Sequence, residues 1–246
     1  MAEPCGAFTP LLRRSDDPAG EAGAALAAAL RVVLADQDIA RLAIPGGSAL
    51  AALAFARERL GEAWQRVALV WVDERCVPEA DPESNRGSAL RRGLLNDPAP
   101  ARCLALYEDG EMPAQAVTRA SSALRDEFGD ALDVLLLGLG EDGHVASLFP
   151  SRAPVGDGPV AHVADSPKPP ADRITLTRAV LGTARAAILV ATGELKRAAL
   201  TRLLAGDEAL PAHGLPGLQI FTDLAIDTEG EPAPDAQATQ ARSGAR

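Results

Sequence analysis

The sequence predicts an α/β protein with a Rossmann-like open, mostly parallel sheet and helices on both faces. Two observations carry that expectation. Apolar runs of strand length alternate with longer stretches of helical period. The apolar runs are also uninterrupted rather than alternating, as strands covered on both faces require. A chain of 246 residues, 47% hydrophobic, is large enough to bury one sizeable core. Aromatic residues are only 3%, so that core must be built from Leu, Val, Ile and Ala.

Leu42-Ala43-Ile44 reads as a short buried strand that stops at Pro45-Gly46-Gly47. Residues 48–60 follow as a helix, with Leu50, Leu53, Ala54 and Arg57 spaced by three and four. Residues 67–72 form the next apolar strand and end at Asp73. Residues 84–95 read as a helix, and residues 113–128 as another with proline in its first turn. Residues 132–137, Leu-Asp-Val-Leu-Leu-Leu, give the strongest strand, ending at Gly138-Leu139-Gly140. Further strands are expected at 160–163, 174–176, 187–191 and 218–221, and helices at 22–34 and 194–204. Residues 151–170, rich in Pro, Gly and Asp, read as a long loop of the sort that often serves function. Neither a repeat nor an interdomain linker interrupts the pattern, so residues 1–227 read as a single α/β domain. Residues 228–246 lack large apolar side chains and read as a disordered tail.

Composition narrows the function classes. The net charge of −10, without basic runs, argues against a nucleic-acid partner. No apolar run exceeds the length of a strand or buried helix, so no membrane association is expected. Residues 1–10 show no basic-then-apolar leader pattern. Three widely spaced cysteines, Cys5, Cys76 and Cys103, suit reduced thiols and a cytoplasmic location better than a disulfide frame. No spacing of His, Cys or acidic residues resembles a metal site, so neither metal nor cofactor is expected. There is no Gly-x-Ser-x-Gly elbow for a serine nucleophile. Residues 138–143 do match Gly-x-Gly-x-x-Gly, but histidine follows at once where a dinucleotide-binding helix should open.

Four segments at strand ends hold chemistry, and ligands of parallel sheets bind beyond those ends. Gly46-Gly47-Ser48 offers free backbone N–H groups to an anion, although a serine-capped turn would have the same composition. Asp73-Glu74-Arg75, with Ser84-Asn85 downstream, is either a solvated turn or a polar orienter (Asp73) beside an anion contact (Arg75). Gly140-Glu141-Asp142-Gly143-His144 delivers an imidazole and a neighbouring carboxylate to the cleft. Histidine titrates near neutrality, and a carboxylate beside it fixes its tautomer and favours its cation. The role of Glu141 stays open. Lys168, Arg173 and Lys196 are scattered cations able to complete a phosphate site. His162 and His213 have no carboxylate pattern in support.

Taken together and in order, Ile44-Pro-Gly-Gly-Ser48, Trp71-Val-Asp-Glu-Arg75 with Ser84-Asn85, Leu136-Leu-Gly-Leu-Gly-Glu-Asp-Gly-His-Val-Ala-Ser-Leu-Phe-Pro150, the 166–177 segment and Gly193-Glu-Leu-Lys196 resemble the 6-phosphogluconolactonase family over roughly residues 11–227. The Gly140–Pro150 block is the specific element. The resemblance implies a sugar-phosphate fold shared with glucosamine-6-phosphate deaminases and ribose-5-phosphate isomerase. It further implies hydrolysis of 6-phosphogluconolactone to 6-phosphogluconate in the oxidative pentose phosphate pathway. By the same resemblance His144 is the general base, Asp142 its acidic neighbour and Arg75 a cleft arginine. Gly46, Gly47, Ser48, Arg173 and Lys196 match positions lining the phosphate end, and the reading of the segments themselves adds Asp73, Asn85 and Lys168 to the substrate-binding candidates. The partner is thus a small phosphosugar lactone, bound by a monomer or small homo-oligomer. Where the family often has Thr-Pro after the glycine turn, this chain has Ala49-Leu50, which leaves more to backbone N–H groups. Two other readings fit the sequence less well. Deaminases carry Asp-Glu-Tyr at 73–75 and Asn-Glu-Pro near 147–150, unlike this chain. A sugar-phosphate sensor would need a helix-turn-helix, for which no length or basic surface is spare.

Overall fold

The computed structural model describes residues 9–150, 152 and 157–226. In chain order the elements are β1 (Leu11–Arg14), α1 (Pro18–Asp36), β2 (Ala40–Ile44), α2 (Ala51–Leu60), β3 (Val67–Trp71), β4 (Asp73–Arg75), α3 (Asn85–Arg91), β5 (Arg102–Leu104), α4 (Pro113–Phe128), β6 (Val134–Gly138), β7 (Val160–Val163), β8 (Arg173–Leu176), α5 (Arg178–Leu181), β9 (Ala186–Val190), α6 (Arg197–Leu204) and β10 (Leu218–Thr222). Seven strands form one parallel sheet in the order β1-β10-β9-β6-β2-β3-β5. Every residue of β3, and residues 134–137 of β6, are buried, so this sheet is covered on both faces as the unbroken apolar runs require.

The topology locates a crevice. From β2 the chain winds outward through β3 to β5, then returns to place β6 on the other side of β2 and continues to β9 and β10. The reversal falls between β2 and β6, and loops leaving adjacent strands there diverge to opposite faces. Local signals fix the helices around it. Asp17 accepts from the Gly20 N–H at 3.0 Å ahead of α1, with Pro18 in the first helical position. The Ser84 hydroxyl accepts from the Gly87 N–H at 2.9 Å ahead of α3.

A second sheet was not foreseen. Strands β4, β8 and β7 form a three-stranded antiparallel sheet in that order. The strands expected at 160–163 and 174–176 exist, but belong here rather than to the parallel sheet. The charged triplet 73–75 is not a solvated turn: it is β4, with Asp73 and Glu74 buried. It continues almost directly from β3, and Val72 bridges the two sheets by donating to Ile44 O and accepting from the Leu176 N–H.

Other boundaries shift for local reasons. Residues 48–50 form a 3₁₀ turn before α2, and residues 194–196 do the same before α6. The helix expected to reach residue 95 ends at Arg91, and Gly93 follows with φ +68°. The strand expected from residue 132 starts at Val134 because the Asp133 carboxylate is taken by Arg41, through Nε and Nη2 at 2.9 Å each. Strands β1 and β5 and helix α5 had escaped notice, being three or four residues long, and the two strands lie at the sheet's outer edges. Helix α1 runs longer than the expected 22–34 and, by length and composition, is apolar enough to cross a membrane. Here its Leu26, Leu30 and Val33 are buried in the core. Part of the expected 151–170 loop and the whole 228–246 tail lie outside the described residues.

Candidate active site

A cavity of about 330 Å³ opens beyond the carboxyl ends of β2, β6 and β9, the three strands around the topological reversal. Gly46, Gly47 and Ser48 line it from the turn after β2. Gly138, Gly140 and His144 line it from the turn after β6, and Lys196 from the segment after β9. The antiparallel sheet supplies the facing wall with Asp73, Arg75 and Arg173, while Asn85 and Lys168 complete it. Every candidate residue from the sequence thus borders this one cavity except Asp142, which stands behind His144. The cavity carries four cationic side chains, Arg75, Lys168, Arg173 and Lys196, against one bordering carboxylate, Asp73. An acidic protein has therefore gathered cations where an anion would sit.

The histidine is held from both sides. Its Nδ1 lies 2.5 Å from Asp142 Oδ1, and its ring is 4.8 Å from that of Phe149. Only glycine fits at 140: a Cβ there would lie 2.1 Å from His144 Nδ1 and 2.6 Å from Asp142 Oδ1. The Gly140 N–H donates to His144 O at 2.8 Å, closing the turn. Partial burial works against the Asp142 charge, but the hydrogen bond and charge interaction with His144 outweigh it and hold the carboxyl below its ordinary value. An ionised Asp142 accepts the Nδ1 proton, which leaves Nε2 as the basic nitrogen.

The facing wall is built by cross-strand register. In the β4–β8 ladder Asp73 stands opposite Thr175 and Arg75 opposite Arg173. Two guanidinium groups directly opposite each other repel, an effect that Glu83, 3.3 Å from Arg75 Nη1, and Asp73, 3.9 Å from Arg173 Nη1, offset in part. Arg173 is almost wholly buried, donating to Lys168 O at 2.9 Å and to Pro170 O at 3.2 Å. Burial lowers its pKa, Asp73 opposes that, and Arg75 adds to it. Arg75 donates to Glu83 O at 2.7 Å, and its buried Nε has no partner. Asn85 reaches Asp73 O at 2.9 Å across Gly46, where a Cβ would lie 1.8 Å from Asn85 Oδ1.

Two residues of this wall were not singled out from the sequence. Glu74 accepts backbone N–H bonds from Arg75, Asn85 and Arg86 at 2.7–2.8 Å, tying β4 to the start of α3. Burial pushes its pKa up against those three donors. Ser147 bonds Asp73 Oδ2 at 2.6 Å. Both sit inside quoted motifs, but no sequence signal shows that they face inward. Glu141, left open, places its carboxylate 4.0 Å from Lys196 Nζ. His162, which had no carboxylate pattern, finds Asp172 at 2.7 Å outside the cavity. Among the described residues no group of three or more His, Cys, Asp or Glu side chains is arranged to hold a metal ion.

Comparison with known proteins bears on this site. A family model described as glucosamine-6-phosphate isomerases/6-phosphogluconolactonase matches residues 13–220. A 6-phosphogluconolactonase of Pseudomonas aeruginosa is 35% identical over 192 residues, covering 75% of this chain and 80% of its own. One of Streptomyces coelicolor is 39% identical over 188 residues, covering 70% and 72%. Among solved structures, a 6-phosphogluconolactonase from Shewanella baltica superposes with a TM-score of 0.72 at 21% identity, covering 88% of this chain and 97% of its own. That likeness is one of fold.

Proposed function

The chain belongs to the family of glucosamine-6-phosphate isomerases and 6-phosphogluconolactonases, and within it we propose a hydrolase that opens 6-phospho-D-glucono-1,5-lactone to 6-phospho-D-gluconate in the oxidative pentose phosphate pathway. The observation that carries this reading is an oriented imidazole facing a wall of cations across one small cavity. His144 is held by Asp142 at 2.5 Å, and Arg75 and Arg173 stand opposite.

The phosphate seats against the backbone of Gly46–Ser48, with Lys196 and Arg173 supplying charge. The lactone carbonyl then lies near His144. With Nδ1–H committed to Asp142, Nε2 takes a proton from water as the water oxygen attacks the carbonyl carbon. Arg75, which borders the cavity, or the N–H groups of the glycine turns, stabilise the developing oxyanion. Collapse of the tetrahedral intermediate breaks the bond to the ring oxygen, which receives the proton from the imidazolium. Asp142 favours the cation formed midway.

The test is an assay on freshly generated 6-phosphogluconolactone, coupled to 6-phosphogluconate dehydrogenase, with spontaneous hydrolysis subtracted. Wild type accelerates product formation, and His144→Asn loses roughly 10²–10⁴-fold in kcat, the usual share of a positioned base. Near-normal turnover in that variant would remove His144 from its role. Absence of acceleration by folded wild type, with ammonia released from glucosamine 6-phosphate, would move the chain to the other half of its family.

A further inference from the structure

Ser147 lies three residues after His144, on the loop that leaves the parallel sheet, yet its bonds go to the antiparallel sheet. Its hydroxyl donates to Asp73 Oδ2 at 2.6 Å, and its N–H donates to Thr175 Oγ1 at 3.2 Å. Asp73 and Thr175 are the two halves of one cross-strand pair. Ser147 therefore sits over a single rung of the β4–β8 ladder and holds both ends. Two rungs along, beyond Glu74–Ile174, the ladder carries Arg75 opposite Arg173, and Arg173 Nη1 also approaches the Ser147 hydroxyl at 3.5 Å. The cluster is dry: Ser147 is 1% exposed, Thr175 0%, Arg173 3% and Asp73 6%.

Resting on the lactonase reading, we infer that Ser147 is a positioning residue for substrate binding. It fixes the Asp73–Arg173 wall at a set distance from the loop that carries the base. The physical argument is one of satisfaction. A buried carboxylate needs donors, and Asp73 has the Ser147 hydroxyl, a longer 3.3 Å contact from Asn85 Nδ2, and Arg173 Nη1 at 3.9 Å. Without the Ser147 hydroxyl, Arg173 is the nearest charge able to close on Asp73. A guanidinium drawn onto Asp73 turns away from the phosphate it is there to meet. The neighbouring residue supports the idea that this placement is enforced, since Ala146 borders the cavity with φ +54°, a backbone conformation that L-residues adopt at a cost. The His144–Asp142 contact runs through none of these bonds, so the wall can shift while the base stays oriented.

That separation gives the test. Wild type, Ser147→Ala and the near-isosteric Ser147→Cys are assayed for KM, kcat and competitive inhibition by inorganic phosphate, with circular dichroism and a melting curve for each. The expected result is a rise in KM and in the phosphate inhibition constant of roughly 10- to 100-fold, the scale of a lost hydrogen bond to a buried charge, with kcat within about threefold of wild type. Combining Ser147→Ala with Asp73→Asn costs little beyond the worse single change, because both act through one contact. Unchanged KM and phosphate inhibition in folded variants would overturn the inference, as would a fall in kcat alone. If Ser147→Ala does not fold, Ser147→Cys keeps the shape, weakens the donor and is judged by the same two readings. Wild type without lactonase activity would instead remove the reading on which the inference rests, a result the variants do not produce.

Discussion

The two sheets of this protein build opposite walls of one cavity by different means. The parallel sheet contributes through the turns beyond β2, β6 and β9, and at Gly46 and Gly140 the turn backbone lies close against the side chains of Asn85 and His144. The antiparallel sheet contributes through residues inside its strands, where register sets Asp73 against Thr175 and Arg75 against Arg173. One wall is therefore made of turns that present an imidazole and N–H groups. The other is a short charged ladder held by buried hydrogen bonds. On the proposed reading the first wall holds the base and the backbone part of the phosphate site, and the second adds the guanidinium groups of Arg75 and Arg173.

The sharpest way to break that division is at Gly140. Its φ is not in the left-handed region, so alanine is allowed by the backbone and the conflict is with two side chains, His144 Nδ1 at 2.1 Å and Asp142 Oδ1 at 2.6 Å from the added Cβ. Both side chains are partly exposed, and displacing either one separates His144 from Asp142. Gly140→Ala should therefore fold, keep KM within a few-fold of wild type, and lose about 10²-fold in kcat, the usual consequence of moving a catalytic group by an ångström. A variant with raised KM and intact kcat would mean that the two walls are not separable. Ser147→Ala is the opposite case, moving KM and sparing kcat.

The next expected effect falls on stability and lies at the other end of the parallel sheet. Asp133, 1% exposed just before β6, accepts from Arg41 N, Nε and Nη2, all at 2.9 Å. Burial opposes the Asp133 charge, but those bonds win and hold its carboxyl below the ordinary value. The sign follows from that direction. The pair contributes fully above the unfolded aspartate pKa of about 4, and its contribution is lost as pH falls through the lower folded value. Asp133→Ala should cost about 3 kcal/mol near neutral pH, at the low end for breaking a buried pair because Arg41 is a quarter exposed. Chemical denaturation at pH 7 and pH 3 measures it, and the difference between variant and wild type should shrink at the lower pH. Lactonase activity of the folded fraction should be unchanged, since the pair stands at the strand end away from the cavity.

The same contrast explains what the sequence made legible. Strands β3, β6 and β9, and residues 42–44 of β2, are apolar runs because both faces are covered, and the turns at 46–48 and 140–144 are marked by glycine. The turns that line this side of the cavity are therefore visible in the sequence. The antiparallel sheet could not be assigned, because pairing is a long-range property and three strands of three or four residues carry no period. Asp73-Glu74-Arg75 looks solvated until β8 supplies its partner, and the inward bonds of Glu74 and Ser147 exist only after α3 and the 144–148 turn have docked. The charged residues that motif resemblance picks out border one cavity, while the sheet that organises them has no signal in the sequence.

The smallest predicted effect asks how far the charged ladder is coupled to its own periphery. His162 on β7 bonds Asp172 Oδ1 at 2.7 Å, one residue before Arg173 enters β8. The pair is near the cation wall in sequence, but Asp172 is about half exposed, and solvent and salt screen such contacts. The backbone at this point is held independently, with Asp172 O accepting from the Cys76 N–H at 3.0 Å. Asp172→Asn should therefore shift stability by less than about 1 kcal/mol and leave KM within twofold, read from a melting curve and the lactonase assay together. A KM change as large as that expected for Ser147→Ala would show that Arg173 is placed by the rim of the small sheet as much as by its interior. The recognition wall would then be a flexible edge rather than a ladder fixed from within.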